Sequence, residues 1–278
     1  VYRVLRRGEV RVNKGRSKPD RRLQVGDVVR VPPLRTAERE AGHPPRGLVR
    51  ELQAATIYED DRLLVINKPS GIAVHGGSGL SHGVIEALRA AYPQGSFLEL
   101  VHRLDRETSG CLMLAKRRSE LRRLQALQRD GRITKHYRAL VLGGHRGDRW
   151  RVDLPLKKNT LRSGERIVRV DPEGKPAATR FTVLRRFGDL TLVDAELETG
   201  RTHQIRVHAA GSIGPILGDD KYGNEAAAAR CRDLGLRRLF LHAATLSLDG
   251  PDNGRRITLE APLPEALQSV LERLQDLP

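Results

Sequence analysis

Methionine occurs once in the 278 residues, at Met113, and tryptophan once; aromatic residues make up only 4%. A core built from this chain must therefore rest on Leu, Val, Ile and Ala. The two cysteines, Cys111 and Cys231, lie far apart and form no CxxC pair. That spacing excludes a disulfide framework and a cysteine metal knuckle, and it suits a reducing, cytoplasmic compartment. No apolar run approaches the roughly 18 residues that would span a bilayer. There is no signal-peptide pattern at the start and no long amphipathic helix to anchor on a membrane. The chain starts at Val1, so a natural start upstream is expected. The nine histidines are scattered, without HExxH, and His203 and His208 have no carboxylate or cysteine cluster at ligand spacing, so no metal site is expected. Gly76-Gly77-Ser78-Gly79 is not followed by Gly-Lys-Ser/Thr and reads as a flexible turn rather than a phosphate cradle. No GxSxG nucleophile elbow is present.

What the chain has in excess is positive charge. Fifty Lys and Arg against 34 Asp and Glu give a net +16, which points to a polyanionic partner, nucleic acid first. Residues 1–35 carry eleven of the cations and three acids, half the net charge. This stretch is no basic tail. Val10 and Val12 alternate with Arg11, and Val25, Val28, Val29 and Val31 surround the turn Gly26-Asp27, so short strands with apolar contacts are expected. Residues 35–55, with Gly42, Pro44, Pro45 and Gly47 among mixed charges, read as a linker.

From residue 56 the pattern becomes mixed. Leu63 to Ile66, Cys111 to Ala115, Tyr137 to Val141 and Leu239 to Leu248 read as strands. Phe181 to Leu184 and Leu190 to Val193 flank Gly188-Asp189, a hairpin signal. Helices are expected from Ser81 to about Tyr92, from Ser119 to before Gly131, and from Glu265 to Leu274, with Ser81 and Ser119 as caps. Strands follow one another without regular helical crossovers, which favours an α+β fold with a mostly antiparallel sheet.

Two polar segments stand out. In Val101-His102-Arg103-Leu104-Asp105-Arg106-Glu107-Thr108-Ser109-Gly110 one carboxylate lies between two cations. Thr199-Gly200-Arg201-Thr202-His203-Gln204-Ile205-Arg206-Val207-His208 is a dense polar run opening a helix. From residue chemistry alone, Asp105 reads as half of a structural ion pair and the arginines as phosphate contacts.

The first segment resembles the active-site signature of the RluA/RluC group of RNA pseudouridine synthases. Ile66-Asn67-Lys68-Pro69-Ser70-Gly71 with Val74-His75, Lys135 to Val141, the second polar segment, and Pro215 to Asp219 with Lys221-Tyr222-Gly223 resemble further motifs of that family. Five motifs in order cover about residues 57–262. Arg7 to Asn13 and Leu23 to Val29 resemble the second half of an S4 RNA-binding domain, an arrangement most like the RluC branch. The resemblance implies a pseudouridine synthase catalytic domain over 56–278, with a central mixed sheet flanked by helices. A partial S4-like module would occupy 1–34, with Arg7, Arg11, Lys14, Arg16 and Lys18 as RNA contacts.

It further implies isomerisation of uridine to pseudouridine in large-subunit ribosomal RNA by a cytoplasmic monomer, with no cofactor. Asp105 matches the nucleophile, Arg206 the cation that keeps it charged, and Tyr137 the residue packed on the base. Arg103 matches the side chain that fills the vacated stack. Arg201 is expected to be structural or to bind phosphate, and His102 and Thr108 to scaffold the loop. A non-catalytic RNA-binding or ribosome-assembly factor on the same scaffold, and a transfer-RNA-directed synthase, are the alternatives.

Overall fold

Leu63 to Ile66 are too apolar to face water and too short for a helix, and they form the inner part of a buried strand. The computed structural model describes residues 5, 7–18, 20–32, 43–76, 82–160, 166–250 and 254–275. The chain divides into two compact units, Val1–Gly42 and His43–Pro278.

The first unit contains β1 (Arg11–Val12), β2 (Gly15–Arg16) and β3 (Val29–Arg30), antiparallel in the order β2-β1-β3. Asn13 and Lys14 both take positive φ, 51° and 66°, which suits the tight turn between β1 and β2. Val10 and Val12 are buried as expected. Val25, Val28, Val29 and Val31 are not: each is exposed, as is Leu23. A sheet of two-residue strands has little face to offer, and no second layer covers these valines among the described residues.

The second unit opens with a correction. The segment read as linker holds helix α1 (Arg46–Ala54). Leu48, Val49 and Leu52 fall on one side of it and pack on the core, Leu52 fully buried. Pro44-Pro45 is the lead-in to this helix, not part of a flexible tether.

There follow β4 (Thr56–Glu59), β5 (Leu63–Lys68), α2 (Val84–Arg89), β6 (Glu99–Leu100), β7 (Ser109–Ala115), α3 (Arg118–Arg129), β8 (Ile133–Leu142) and β9 (Arg149–Asp153). The chain continues through β10 (Leu156–Thr160), β11 (Arg166–Val170), β12 (Ala178–Phe187), β13 (Leu190–Leu197), α4 (Gln204–Ser212) and α5 (Glu225–Asp233). It closes with β14 (Leu241–Asp249), β15 (Arg256–Glu260) and α6 (Glu265–Gln275). Ten strands form one sheet in the order β4-β5-β7-β14-β8-β13-β12-β9, with β15 on β14 and β6 on β7. β10 and β11 form a separate hairpin.

The sheet is mixed but almost wholly antiparallel, the α+β architecture expected. The parallel joint is short: β14 meets β7 only at His242↔Ser109 and Ala243↔Gly110. Gly110 has φ 111°, and a Cβ there would lie 2.2 Å from the Ala243 carbonyl oxygen, so only glycine permits the joint.

Two helix starts differ from expectation. α2 begins at Val84, with Glu86 accepting from the Gly83 and Gly76 N–H groups; Ser81 lies outside the described residues. α3 begins at Arg118 rather than after a Ser119 cap. Arg117 is extended and donates to the Asp61 carbonyl and carboxylate, which fixes the launch of the helix one residue early.

Candidate active site

The loop before β7 is held by its backbone. Val101 and Leu104 are buried, and Thr108 N–H donates to the Asp105 carbonyl at 3.2 Å. The Lys68 ammonium, completely buried at the end of β5, donates to the carbonyls of Pro69 (2.6 Å), Ile72 (2.8 Å) and Arg106 (3.1 Å). Ser70 hydroxyl donates to the Glu107 carbonyl and Arg106 Nε to the Gly71 carbonyl. Burial pushes Lys68 down to about 7, with the charges of Glu107 and Asp105 working the other way. One buried cation thus stitches the Lys68–Ile72 turn to the Asp105 loop.

His102 Nε2 accepts the Met113 N–H at 3.1 Å, and burial, aided by Lys135, holds its pKa well below the usual imidazole value. The ring is therefore neutral at pH 7 and holds a backbone N–H of β7. Against this fixed backbone two side chains make no hydrogen bond among the described residues. The Arg103 guanidinium is exposed and makes no hydrogen bond or ion pair, and the Asp105 carboxylate accepts no hydrogen bond.

The second polar segment is held by its side chains. Gln204 is buried; its carbonyl accepts from Thr199 hydroxyl (2.8 Å) and Arg201 N–H (3.0 Å). Its amide donates to the Ala178 carbonyl and Thr179 Oγ1, both at 2.9 Å. His208, on the next turn of α4, bridges Thr179 Oγ1 and the Leu154 carbonyl. Arg201 is exposed and donates through Nε to the Pro176 carbonyl.

Arg206 departs from expectation. Its guanidinium grips Asp219, Nε to Oδ2 at 2.7 Å and Nη2 to Oδ1 at 2.5 Å, with Asp220 at 3.1 Å. Burial opposes the Asp219 charge, but Arg206 and the N–H groups of Tyr222 and Lys221 outweigh it and hold that carboxyl below its usual range. No ion pair joins Arg206 to Asp105. The planar guanidinium is engaged by a nearer carboxylate that two backbone N–H groups already orient, so its charge reaches Asp105 only through space. The ionisable side chain within 4 Å of the Asp105 carboxylate is His203, Nε2 to Oδ2 at 3.9 Å.

A cavity of about 180 Å³ brings the predicted residues together. His102, Arg103, Asp105, Thr108, Tyr137, Arg201 and Arg206 all line it. Tyr137, on β8 in mid-sheet, is almost fully buried; burial first, then the Asp105 charge, keeps its phenol protonated. Lys135 and His203 also line the cavity. Lys68, Lys135, Asp219 and Tyr222 lie within the motifs, but the motifs alone assign them no role, and spacing alone offers His203 only as a candidate metal ligand. Arg7, Arg11, Lys14, Arg16 and Lys18 are exposed on the first unit.

Among the described residues, no cluster of three His, Cys, Asp or Glu could hold a metal, and no helix is long and apolar enough to cross a membrane. The arrangement is a carboxylate at the wall of a small polar cavity, facing a protonated phenol, with an unengaged guanidinium at its rim. Such a set can attack or stabilise an electron-poor sugar carbon and hold a planar ring beside it.

Residues 62–211 match the family model described as RNA pseudouridylate synthase. The chain is 50% identical over 278 residues to the ribosomal large subunit pseudouridine synthase C of Haemophilus influenzae, covering 99% of this chain and 86% of that protein. It is 52% identical to the protein of the same name in Escherichia coli K12, covering 99% and 88%. Among solved structures, human RNA pseudouridylate synthase domain containing 4 superposes with a TM-score of 0.69 at 28% identity, covering 84% of this chain and 97% of that one. Human RNA pseudouridylate synthase domain containing 1 shares the fold, with a TM-score of 0.62 at 24% identity.

Proposed function

Since the chain belongs to the RNA pseudouridylate synthase family and is an isomerase of uridine in RNA, we propose that its substrate is large-subunit ribosomal RNA and that Asp105 is its nucleophile. The reaction breaks the bond from N1 to C1′ and forms one from C5 to C1′; the C5 hydrogen leaves as a proton and N1 gains one. The observation that carries the assignment of Asp105 is its carboxylate, free of hydrogen bonds among the described residues, at the wall of a cavity that also holds Tyr137. Attack by that oxygen splits one difficult transfer into two steps.

Tyr137, held protonated, packs on the uracil and can pass a proton at C5. A uridine inside a helix has to be extruded at a cost of a few kcal/mol, and the Arg103 guanidinium stacks where it left. Arg206 contributes a positive field from its seat on Asp219. The ribosomal substrate rests on what the named relatives act on, together with the +16 charge. Residues 1–34 serve as an S4-like RNA-binding module, with Arg7, Arg11, Lys14, Arg16 and Lys18 on phosphate. The enzyme works as a cytoplasmic monomer, a compartment that suits its two free thiols.

The test is pseudouridine mapping across ribosomal and transfer RNA, with the gene deleted and restored as wild type or Asp105→Asn. Large-subunit sites should vanish on deletion and return only with the wild type. Sites confined to transfer RNA would sink the substrate assignment, and sites restored by Asp105→Asn would sink the nucleophile.

A further inference from the structure

We propose that His203 is a positioning residue for the Asp105 carboxylate, with its imidazole fixed by Tyr222 in the neutral tautomer whose Nε2–H faces Asp105. The inference rests on the reading of Asp105 as nucleophile and names what aims it.

The tautomer follows from counting protons. The Tyr222 hydroxyl oxygen lies 2.9 Å from the Val168 N, which donates to it, and 2.8 Å from His203 Nδ1. A hydroxyl has one proton and two lone pairs. Val168 occupies one lone pair, and the described residues offer no acceptor for the Tyr222 proton other than His203 Nδ1. With that proton given to Nδ1, a neutral ring carries its hydrogen on Nε2. Nε2 is the atom turned toward Asp105 Oδ2, at 3.9 Å. Burial favours the neutral ring, and Arg206 and Lys221 add to it against the pull of Asp105.

The backbone points the same way. His203 sits just before α4 with φ 54° and ψ 19°, in the left-handed region. Apart from glycine, the other described residues at positive φ are Asn13 and Lys14, in the turn between β1 and β2. For a residue with a Cβ this conformation is strained. It persists here with Nδ1 held by the Tyr222 hydroxyl at 2.8 Å and the Tyr222 ring meeting the imidazole edge-on at 5.6 Å. Strain of this kind, held by its surroundings, is found where a side chain is being aimed.

The arrangement also divides labour. A guanidinium gripping Asp105 would tie up both carboxylate oxygens and blunt the nucleophile. Asp219 keeps Arg206 from doing so. His203 offers one neutral N–H to one oxygen and leaves the other free. At 3.9 Å the contact is longer than a hydrogen bond, as catalytic contacts often are before substrate arrives. It closes when the uridine fills the cavity.

The test uses full-length large-subunit ribosomal RNA transcript carrying tritium at uridine C5, with release to solvent counting turnover. His203→Ala should lower kcat about 10- to 100-fold with KM and RNA affinity unchanged, the scale of losing a group that orients a reacting side chain. His203→Gln, whose amide N–H replaces Nε2–H, should recover most of that loss. Tyr222→Phe, which frees the tautomer while keeping the ring, should lose several-fold in kcat.

Wild-type kcat in His203→Ala, or a loss confined to KM, would overturn the inference. So would a folded His203→Gln no better than His203→Ala. If His203→Ala does not fold, the kcat of Tyr222→Phe decides, with a wild-type value counting against the proposal. Asp105→Asn is run alongside: turnover retained there overturns the reading of the site itself. Turnover lost there but full in His203→Ala overturns this inference alone.

Discussion

Residues 101–110 and 199–208 are both polar stretches of the second unit that line one cavity, yet they are held in opposite ways. In the first, Lys68 and Ser70 grip the carbonyls of Arg106 and Glu107, while Arg103 is exposed and Asp105 accepts no hydrogen bond among the described residues. In the second, side chains themselves are consumed: Gln204 makes four hydrogen bonds, Arg206 is bonded through Nε and Nη2, and His208 through both ring nitrogens. Buried polar groups without partners are costly, so a fold leaves them unpaired only where something else will pair with them. The first segment presents chemistry on a fixed backbone; the second is the frame.

If so, the same kind of mutation should have different consequences in the two segments. Asp105→Asn should cut turnover by ~10⁴-fold or more, the scale of losing a catalytic nucleophile. Its thermal midpoint should stay within about 1 °C, because few contacts are lost. A drop of several degrees would make the first segment part of the frame and end the distinction. Asp219→Ala should do the reverse, leaving Arg206 buried without its counter-charge. That costs about 3–5 kcal/mol. At about 2–4 °C per kcal/mol for a chain of this size, calorimetry should show a fall of roughly 6–20 °C.

A third effect lies where the first segment enters β7. Ser109 Oγ, which accepts from Arg238, lies 2.9 Å from His242 Nδ1, and His242 Nε2 contacts the Ala261 carbonyl. Burial above all pushes His242 down to about 4. Between that value and about 6.5 the unfolded chain binds the proton and the folded chain does not, so stability is lost as pH falls through this window. Urea titrations at pH 7 and 4.5 should show a loss that is smaller in His242→Gln by roughly 1–3 kcal/mol. An equal loss in both proteins would mean that His242 is charged in the fold. The smallest effect belongs to Arg103→Ala. Turnover on base-paired RNA should fall about 10-fold, with little change on single strands, where no stack has to be refilled. Stability should move by no more than about 0.5 kcal/mol.

Much of this was legible from the chain alone, and the failures have a common cause. The strands through Leu63 to Ile66, Cys111 to Ala115 and Tyr137 to Val141 follow from apolar runs. The hairpin follows from Gly188-Asp189, where Gly188 takes φ 59°. The seven residues brought to the cavity were named from motifs. What sequence could not supply was the choice among carboxylates for Arg206: Asp105, Asp219 and Asp220 are all plausible partners until the Asp219 turn is folded beside α4. Nor does a left-handed His203 announce itself, since the penalty is local while the compensation comes from Tyr222, nineteen residues on. The exposed Val25 to Val31 and the helix in the supposed linker show the same limit. Periodicity says what a segment could bury, not what is there to cover it.

The position of β14 bears on how the protein is made. This strand, near the end of the chain, lies between β7 and β8, and its joint with Gly110 spans 133 residues of sequence. During synthesis β7, buried along its whole length in the finished sheet, and β8 must wait as open edges until residue 243 has cleared the ribosome. Such edges are aggregation hazards, and contacts so far apart form slowly. β14 supplies Leu241 to the cavity wall, so a chain that has not yet placed this strand lacks a complete site. Catalysis then waits for β14 to enter the middle of the sheet.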